Sequence, residues 1–117
     1  MTDSLIYLAS PYSHPSEETR IERFRSVCAT AAKLMAKGYK IFSPIAHTHP
    51  IAEAGQLPTG WDYWDSYDRA ILSCCKEIWV LRLKGWEFSK GIGAELDIAK
   101  ELGLTIRFLT AEGEFDE

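Results

Sequence analysis

Two carboxylates stand on apolar helical faces of this chain, where an unpaired charge is costly to bury. Glu95 lies three residues after Ile92, and Asp68 lies four residues after Trp64. Residues at these spacings share one face of a helix. In a dry cleft, one carboxyl of a pair stays ionised while the other keeps its proton, which is the division of labour of a retaining glycosidase. The pattern predicts Glu95 as the nucleophile, kept anionic by its helix N-terminus, and Asp68 as the proton donor.

The segment that carries Glu95 joins a strand pattern to a helix pattern through a glycine-containing turn. An apolar run at residues 78–83 is typical of a buried strand, and Ser89 is a candidate N-cap for the helix that follows. Gly91 and Gly93 would let a ligand approach the backbone closely. The free N–H groups of a first helical turn favour an anion. We therefore predict ligand binding at this helix N-terminus.

Strand and helix patterns alternate along the whole chain. Strands are predicted at residues 5–9, 39–44, 77–83 and 104–109, and helices at residues 16–37, 61–75 and 89–102. This alternation is typical of βαβ units around a parallel sheet, in which the loops after the strands open on one edge. The sequence predicts one α/β domain over residues 1–110, with its chemistry at that edge, followed by a loose acidic tail over residues 111–117.

Other loops and aromatic residues supply candidate contacts to a substrate. The loop after the first strand holds four small or ring-bearing residues: Ser10, Pro11, Tyr12 and Ser13. Residues 45–60 predict a long irregular loop of the kind that forms a wall or lid, with His47 hydrogen-bonding at its rim. Trp64 and Trp86 could stack on a flat base. We predict all of these residues as substrate contacts.

Composition limits the partners. The 117 residues include 13 basic and 17 acidic side chains, for a net charge of −4, and the basic ones form no cluster. We therefore expect no nucleic-acid polymer as a partner. The chain has no apolar run of membrane-spanning length and no signal-peptide pattern, and its three cysteines lack CxxC or zinc spacing. These features predict a cytoplasmic protein with reduced thiols, no membrane partner, no metal and no cofactor.

The order and spacing of these motifs resemble a known family. The segment at residues 7–11 reads Tyr-Leu-Ala-Ser-Pro, Asp68 precedes the third strand, and Ser89-x-Gly91-x-Gly93-x-Glu95 follows it. Together they are similar to the nucleoside 2-deoxyribosyltransferase superfamily, which includes the deoxynucleoside monophosphate N-hydrolases. With its Ser-Pro-x-x-His and Gly-Trp-x-x-Ser-x-Gly signatures, the chain most resembles a small bacterial and phage branch of unknown function over residues 4–110.

The resemblance implies a fold, an activity and residue roles. The fold would be a flavodoxin-like doubly wound parallel sheet of four to five strands, with helices on both faces, in a homo-oligomer such as a dimer or tetramer. The activity would be cleavage or transfer of the N-glycosidic bond of a deoxynucleoside or its 5′-monophosphate. Glu95 would form the glycosyl ester, Asp68 would act as acid or base, and Tyr7 would orient Glu95. Ser89 and Gly91 would contact the 5′ end of the sugar.

Three alternatives stay open at this stage. The chain could be a nucleotide-binding module on the same fold that does not catalyse a reaction. Gly91 and Gly93 also fit part of a dinucleotide-binding motif, although the third glycine is missing. His47 and His49, two residues apart, could bind a metal in a hydrolase. The sequence does not distinguish bases, nor hydrolysis from transfer.

Overall fold

The computed structural model describes residues 4–116, so residues 1–3 and 117 of the predicted domain and tail lie outside it. The strands are β1 (Leu5–Ala9), β2 (Lys40–Phe42), β3 (Glu77–Leu81) and β4 (Thr105–Leu109). The helices are α1 (Glu17–Ala36), α2 (Pro44–Gly55), α3 (Trp61–Leu72) and α4 (Lys90–Leu102), with a short 3₁₀ turn at Trp86–Phe88. The strands form a parallel sheet in the order β2-β1-β3-β4, which confirms the predicted α/β fold.

Alternate residues of β1 face opposite layers of the molecule. Ile6 and Leu8 belong to a core cluster with Val27 of α1. Tyr7 belongs to a second cluster, which includes Ile92 of α4 and further residues of α3 and α4. Because successive side chains of a strand point to opposite faces, the central sheet is buried between helices on both sides, as predicted.

The sheet order places a crevice between β1 and β3. From β1 the chain crosses to β2 on one side of the sheet, whereas β3 leads to β4 on the other side. The loops that follow β1 and β3 therefore diverge, which leaves an opening at the carboxyl ends of these two strands. Within residues 4–116, no helix combines the length and apolarity that crossing a membrane requires.

The prediction of a long irregular loop at residues 45–60 is wrong, because residues 45–55 belong to α2. Ser43 is the N-cap of α2, and its Oγ accepts a hydrogen bond from the Ala46 N–H at 3.1 Å. Pro44 occupies the first turn, where proline is favoured. Pro50 lies inside the helix but is exposed, so its ring does not have to fit into the core. The prediction treated Pro44 as the end of the second strand, which in the structure ends at Phe42, and Pro50 as a loop residue.

The C-terminal segment is packed, which contradicts the predicted loose tail. Phe115 forms an antiparallel bridge with Leu109 of β4. Its ring lies 4.9 Å, centroid to centroid, from that of Trp79, in an edge-to-face arrangement. The Asp116 N–H donates a hydrogen bond to the sheet edge, to the carbonyl of Phe108, at 3.1 Å. Phe115 therefore covers the core cluster around Trp79.

We predict that Phe115→Ala lowers the free energy of unfolding by about 1–3 kcal/mol, because it removes partly buried aromatic area from Trp79. Urea denaturation followed by tryptophan fluorescence would measure the change. The control is Met35→Ala, since Met35 of α1 is 51% exposed and should contribute little. Equal effects of the two substitutions would show that the C-terminal segment does not stabilise the fold.

Candidate functional site

A cavity of about 360 Å³, which we call the inner cavity, opens at the carboxyl edge of the sheet. It lies between the loop after β1, the start of α3 and the N-terminus of α4. Eight of the residues predicted as site residues line it: Ser10, Tyr12, Ser13, Trp64, Asp68, Ser89, Gly91 and Glu95. The crevice between β1 and β3 therefore brings together predicted site residues from three separate parts of the sequence.

Glu95 lies in the second turn of α4, with only 5% of its surface exposed. The hydroxyl of Tyr7, a fully buried residue of the central strand β1, donates a hydrogen bond to Glu95 Oε2. Because β1 is paired on both sides, Tyr7 holds this oxygen at a fixed place in the sheet. The other carboxylate oxygen, Oε1, has no hydrogen bond from residues 4–116.

The electrostatics of Glu95 differ from the expectation that its helix N-terminus keeps it anionic. Burial, with a smaller contribution from the charge of Asp68, raises the pKa of Glu95 to about 8. The hydrogen bond from Tyr7 acts in the opposite direction and lowers the pKa. The field of a helix terminus is strong only within the first turn, and Glu95 lies beyond it. Desolvation therefore dominates, and Tyr7 is the group that favours the anion.

Asp68 faces the same cavity from α3, with 6% of its surface exposed. Its Oδ1 is buried and has no hydrogen-bond partner in the described part of the chain. Burial, together with the charge of Asp65, raises the pKa of Asp68 to about 7. An acid with these surroundings retains its proton near neutral pH and can donate it to a leaving group.

Polar groups of the β1 loop form another wall of the inner cavity. Ser10 Oγ is buried and has no partner among residues 4–116, so its hydrogen-bonding capacity is available to a ligand. Tyr12 is held differently, because its hydroxyl is hydrogen-bonded to Nδ1 of the buried His49 on α2 at 2.5 Å. Ser13 Oγ donates to the Thr59 carbonyl at 3.1 Å. Hydrogen bonds of Tyr12 and Ser13 thus fix the loop, while the hydroxyl of Ser10 stays free for a ligand.

The N-terminus of α4 offers backbone donors to the same cavity. Ser89 is the N-cap, as predicted, and its Oγ accepts from the Ile92 N–H at 3.2 Å. The N–H groups of Lys90 and Gly91 have no acceptor within residues 4–116. The Lys90 ammonium is paired with an Asp62 carboxylate oxygen at 3.0 Å. An anion bound here would therefore interact mainly with the backbone N–H groups, because the positive charge of Lys90 is already paired.

Five predicted site residues do not line the inner cavity. Tyr7 lies behind Glu95 and reaches the site only through it. Pro11 is fully buried, and Gly93 is exposed on α4. His47 is exposed on α2, where its Nε2 is 2.8 Å from the Tyr67 hydroxyl.

Trp86 also lies away from the cavity. Its ring centroid is 5.9 Å from that of Phe108, and it packs against the core cluster that contains Tyr7. No direct contact with a ligand in the inner cavity is therefore available to Trp86, nor to Pro11, His47 or Gly93.

Sequence reasoning missed contacts that come from α2 and from charged residues. Thr48 of α2 lines the inner cavity, and His49 holds Tyr12. Because the prediction assigned this region to a loop, it did not use the helical spacing that places Thr48 and His49 on the buried face of α2. Lys90 and Asp62 line the cavity as an ion pair between α4 and α3. Such a pair has no local sequence signal.

The positions of the histidines and glycines bear on two of the open alternatives, the metal site and the dinucleotide-binding motif. Within residues 4–116, no group of three or more His, Cys, Asp and Glu side chains could hold a metal ion. His47 is hydrogen-bonded to Tyr67, whereas His49 is hydrogen-bonded to Tyr12. A dinucleotide-binding motif places its glycines in the turn before the helix, but Gly91 and Gly93 both lie inside α4.

We predict that Asp68→Asn and Glu95→Gln stabilise the protein at pH 8 by about 1–3 kcal/mol each. Both acids have a higher pKa in the folded than in the unfolded state, so the folded wild type binds more protons between about pH 4 and about pH 8, and its stability falls as pH rises through this window. The advantage of each variant should therefore vanish at pH 4. Urea denaturation at the two pH values would measure it.

The matched control for these variants is Asp97→Asn, since Asp97 is an exposed carboxylate of α4 outside the inner cavity. It should show no comparable gain between pH 4 and pH 8. If Asp68→Asn and Glu95→Gln behaved like this control, the two acids would not be desolvated in the folded protein.

No curated protein matches this chain. A family model described as a domain of unknown function, DUF1937, matches residues 4–110. Because this match covers most of the 117 residues, the chain belongs to the DUF1937 family.

Proposed function

We propose that this protein is an enzyme of the nucleoside 2-deoxyribosyltransferase superfamily. It would cleave the N-glycosidic bond of a deoxynucleoside or its 5′-monophosphate and pass the sugar to water or to another base. The observation that carries the proposal is the pair of buried carboxyls, Glu95 and Asp68, which line one cavity. The pair is electrostatically coupled, since the charge of Asp68 raises the pKa of Glu95.

In the first half of the reaction, the carboxylate of Glu95 attacks C1′ of the sugar. The C1′–N bond breaks, a C1′–O ester to Glu95 forms, and Asp68 gives its proton to the departing base. The hydrogen bond from Tyr7 to Oε2 stabilises the anionic form of Glu95 and leaves Oε1 free to attack. The reactive form of the pair holds one proton, on Asp68. Because the pKa of Glu95, about 8, lies above that of Asp68, about 7, this form is the less populated of the two singly protonated forms.

In the second half, Asp68 is a carboxylate and acts as a base. It takes a proton from water, or from the N–H of an acceptor base, as that group attacks C1′. The ester bond to Glu95 breaks, so the free sugar or a new nucleoside leaves and both carboxyls return to their starting states. Neither half needs a metal or a redox cofactor to balance its atoms and electrons.

The walls of the inner cavity suit the rest of such a substrate. Trp61 and Trp64 line it, and the Trp64 indole N–H is fixed by a hydrogen bond to the Pro58 carbonyl at 2.8 Å. Fixed aromatic surfaces can stack on a flat base. The unpaired hydroxyl of Ser10 and the N–H groups at the start of α4 would hold the sugar and its 5′ end.

We further propose that the protein works as a cytoplasmic homo-oligomer, a dimer or tetramer. Phe88 lines the mouth of the inner cavity while 90% of its side chain is exposed. A second copy docked at this mouth would bury the apolar ring of Phe88, which would stabilise the association. A neighbouring copy would then complete the site.

We predict that purified protein releases free base from at least one deoxynucleoside or deoxynucleoside 5′-monophosphate, and that Glu95→Gln abolishes the release. The amide is nearly isosteric but cannot form the ester, so we expect a loss of at least about 10³-fold. Chromatography of reactions with and without an acceptor base would distinguish a hydrolase from a transferase.

Asp97→Asn is the matched control in this assay and should retain full activity. If a nucleotide protects the wild type in thermal unfolding, but no base is released and Glu95→Gln changes only affinity, the enzyme proposal fails. The protein would then be a binding module without catalysis.

We predict a bell-shaped dependence of kcat/KM on pH, with its maximum between about pH 7 and about pH 8, where the pair holds one proton. Glu95 has the higher pKa of the pair, so it sets the alkaline limb. Tyr7→Phe removes a hydrogen bond that lowers this pKa, so the alkaline limb should move to higher pH and the maximum of kcat/KM should fall. Tyr12→Phe is the control, because Tyr12 is hydrogen-bonded to His49 instead of Glu95. An unshifted alkaline limb in Tyr7→Phe would show that Tyr7 does not tune Glu95.

A further inference from the structure

A second and larger cavity of about 860 Å³, which we call the outer cavity, adjoins the inner one. Ser13, Phe88 and Ser89 line both cavities. Ser89 is the N-cap of α4, so the free N–H groups at the start of this helix lie at the boundary. A group held at that boundary can therefore extend away from the carboxyl pair into the outer cavity.

Arg23 of α1 lines the outer cavity in an unusual state. Its Nη1 donates to the carbonyls of Ser13 at 3.1 Å and Tyr12 at 3.5 Å, and its Nη2 donates to that of Lys84 at 3.1 Å. These acceptors are neutral, and no carboxylate within residues 4–116 forms an ion pair with Arg23. The guanidinium is thus fixed between the loops after β1 and β3 with no carboxylate of the described residues in direct contact.

The hydrogen bonds of Arg23 also leave donors for a ligand. A guanidinium carries five N–H donors, and three hydrogen bonds to carbonyls leave the Nε–H and one Nη2–H. The fork geometry of such a group suits the oxygens of a phosphate. Gly85 keeps this space open, because a Cβ there would lie 2.9 Å from Arg23 Nη2.

Two more donors line the same cavity. His14 accepts the Ser16 N–H on Nδ1 at 3.0 Å, so in the neutral ring the proton lies on Nε2, which can donate to a ligand. Lys84 is exposed, and its structural hydrogen bond uses its carbonyl and not its ammonium. His14, Arg23 and Lys84 therefore provide three kinds of donor to an anion.

The outer cavity also contains two acids, Glu22 and Glu87, both exposed. Carboxylates beside a phosphate site commonly accept hydrogen bonds from sugar hydroxyls. The volume of the outer cavity, more than twice that of the inner one, leaves room beyond one phosphate. Its chemistry thus suits a phosphate followed by a polar group.

We propose that the outer cavity binds a second phosphate, so that the preferred substrate carries a 5′-pyrophosphate, either free or esterified to a further sugar. This inference rests on the proposed function. The base and the reacting sugar occupy the inner cavity, the first phosphate meets the start of α4, and the second meets Arg23, Lys84 and His14.

The test measures binding separately from turnover. Calorimetry with the Glu95→Gln protein would compare the 5′-mono- and 5′-diphosphates of the four common deoxynucleosides, with diadenosine diphosphate as the esterified probe. We expect a diphosphate to bind about tenfold more tightly than its matching monophosphate, because it adds charge-assisted hydrogen bonds. Tighter binding of diadenosine diphosphate than of adenosine diphosphate, which has the same ribose, would identify the esterified form, and weaker binding would identify the free one.

Variants assign this preference to the outer cavity. Lys84→Gln and Arg23→Gln, each added to the Glu95→Gln protein, should reduce the ratio of the two affinities towards one. Lys76→Gln is the matched control, since Lys76 is an exposed lysine beside the opposite end of β3, and should leave the ratio unchanged. Lys84→Gln keeps the test decisive if Arg23→Gln disturbs the two loops that Arg23 joins.

Equal affinities for mono- and diphosphates, or a preference that survives both variants, would overturn the second phosphate site. Base release by the wild type in that case would leave the proposed enzyme standing. A clear preference for diphosphates without base release from any substrate would instead overturn the enzyme and keep the site. Absence of binding by every nucleotide would overturn both.

Discussion

The hydrogen bond from Tyr7 to Glu95 is the interaction on which the arrangement of this site depends. It joins β1, a central strand of the sheet, to the helix that follows β3, across 88 positions of sequence. A glutamate buried in α4 without a partner would destabilise the fold, since desolvation of a carboxyl is costly. The phenol offsets part of that cost and fixes one oxygen. The hydrogen bond thereby also sets the position of α4 and of its N-terminus over the crevice.

The pKa values near this bond follow from a competition between burial and local partners. Burial is the largest influence on Glu95, Asp68 and Tyr7, and it opposes charge on each of them. A helix terminus is too distant to act strongly on Glu95, whereas the hydrogen bond from Tyr7 lowers its pKa without reversing the effect of burial. Under the proposed function, this competition lets two acids share one proton near neutral pH. The cost is a lower free energy of unfolding than neutral side chains at positions 68 and 95 would give.

How far the sequence predicts this structure depends on whether the signal is local. The alternation of strands and helices, the cap at Ser89 and the apolar stripes that carry Asp68 and Glu95 are local, and the structure shows both acids lining one cavity. The helix α2 was missed because Pro50 was interpreted as a loop residue. The packing of Phe115 depends on a long-range contact with Trp79, which no spacing along the chain reveals.

Long-range contacts also explain why the charged residues of the site were not predicted. Arg23 lies on α1, and its partner Lys84 is 61 positions away in the loop after β3. The spacing of Arg23 along the helix indicates only a surface position. His47 and Trp86 have the right chemistry for a ligand, but each is hydrogen-bonded or packed elsewhere. A polar residue in a predicted loop therefore suggests a contact with a ligand, but its tertiary partners decide whether its polar atoms remain free. The hydroxyl of Ser10 is one that remains free.

The separation of positive charge from the carboxyl pair is itself a requirement of the proposed chemistry. A cation close to Asp68 would favour its ionised form and lower its pKa, which would remove the proton donor. The ammonium that lines the inner cavity, that of Lys90, is neutralised by Asp62 at 3.0 Å. Arg23 and Lys84, whose charges have no such partner within residues 4–116, line the outer cavity instead. The α4 N-terminus lies between the two and can bind an anion through backbone dipoles without placing a full positive charge near the acids. The inner cavity can therefore keep a proton on its acids while Arg23 and Lys84 of the adjacent outer cavity bind the negatively charged end of the same substrate.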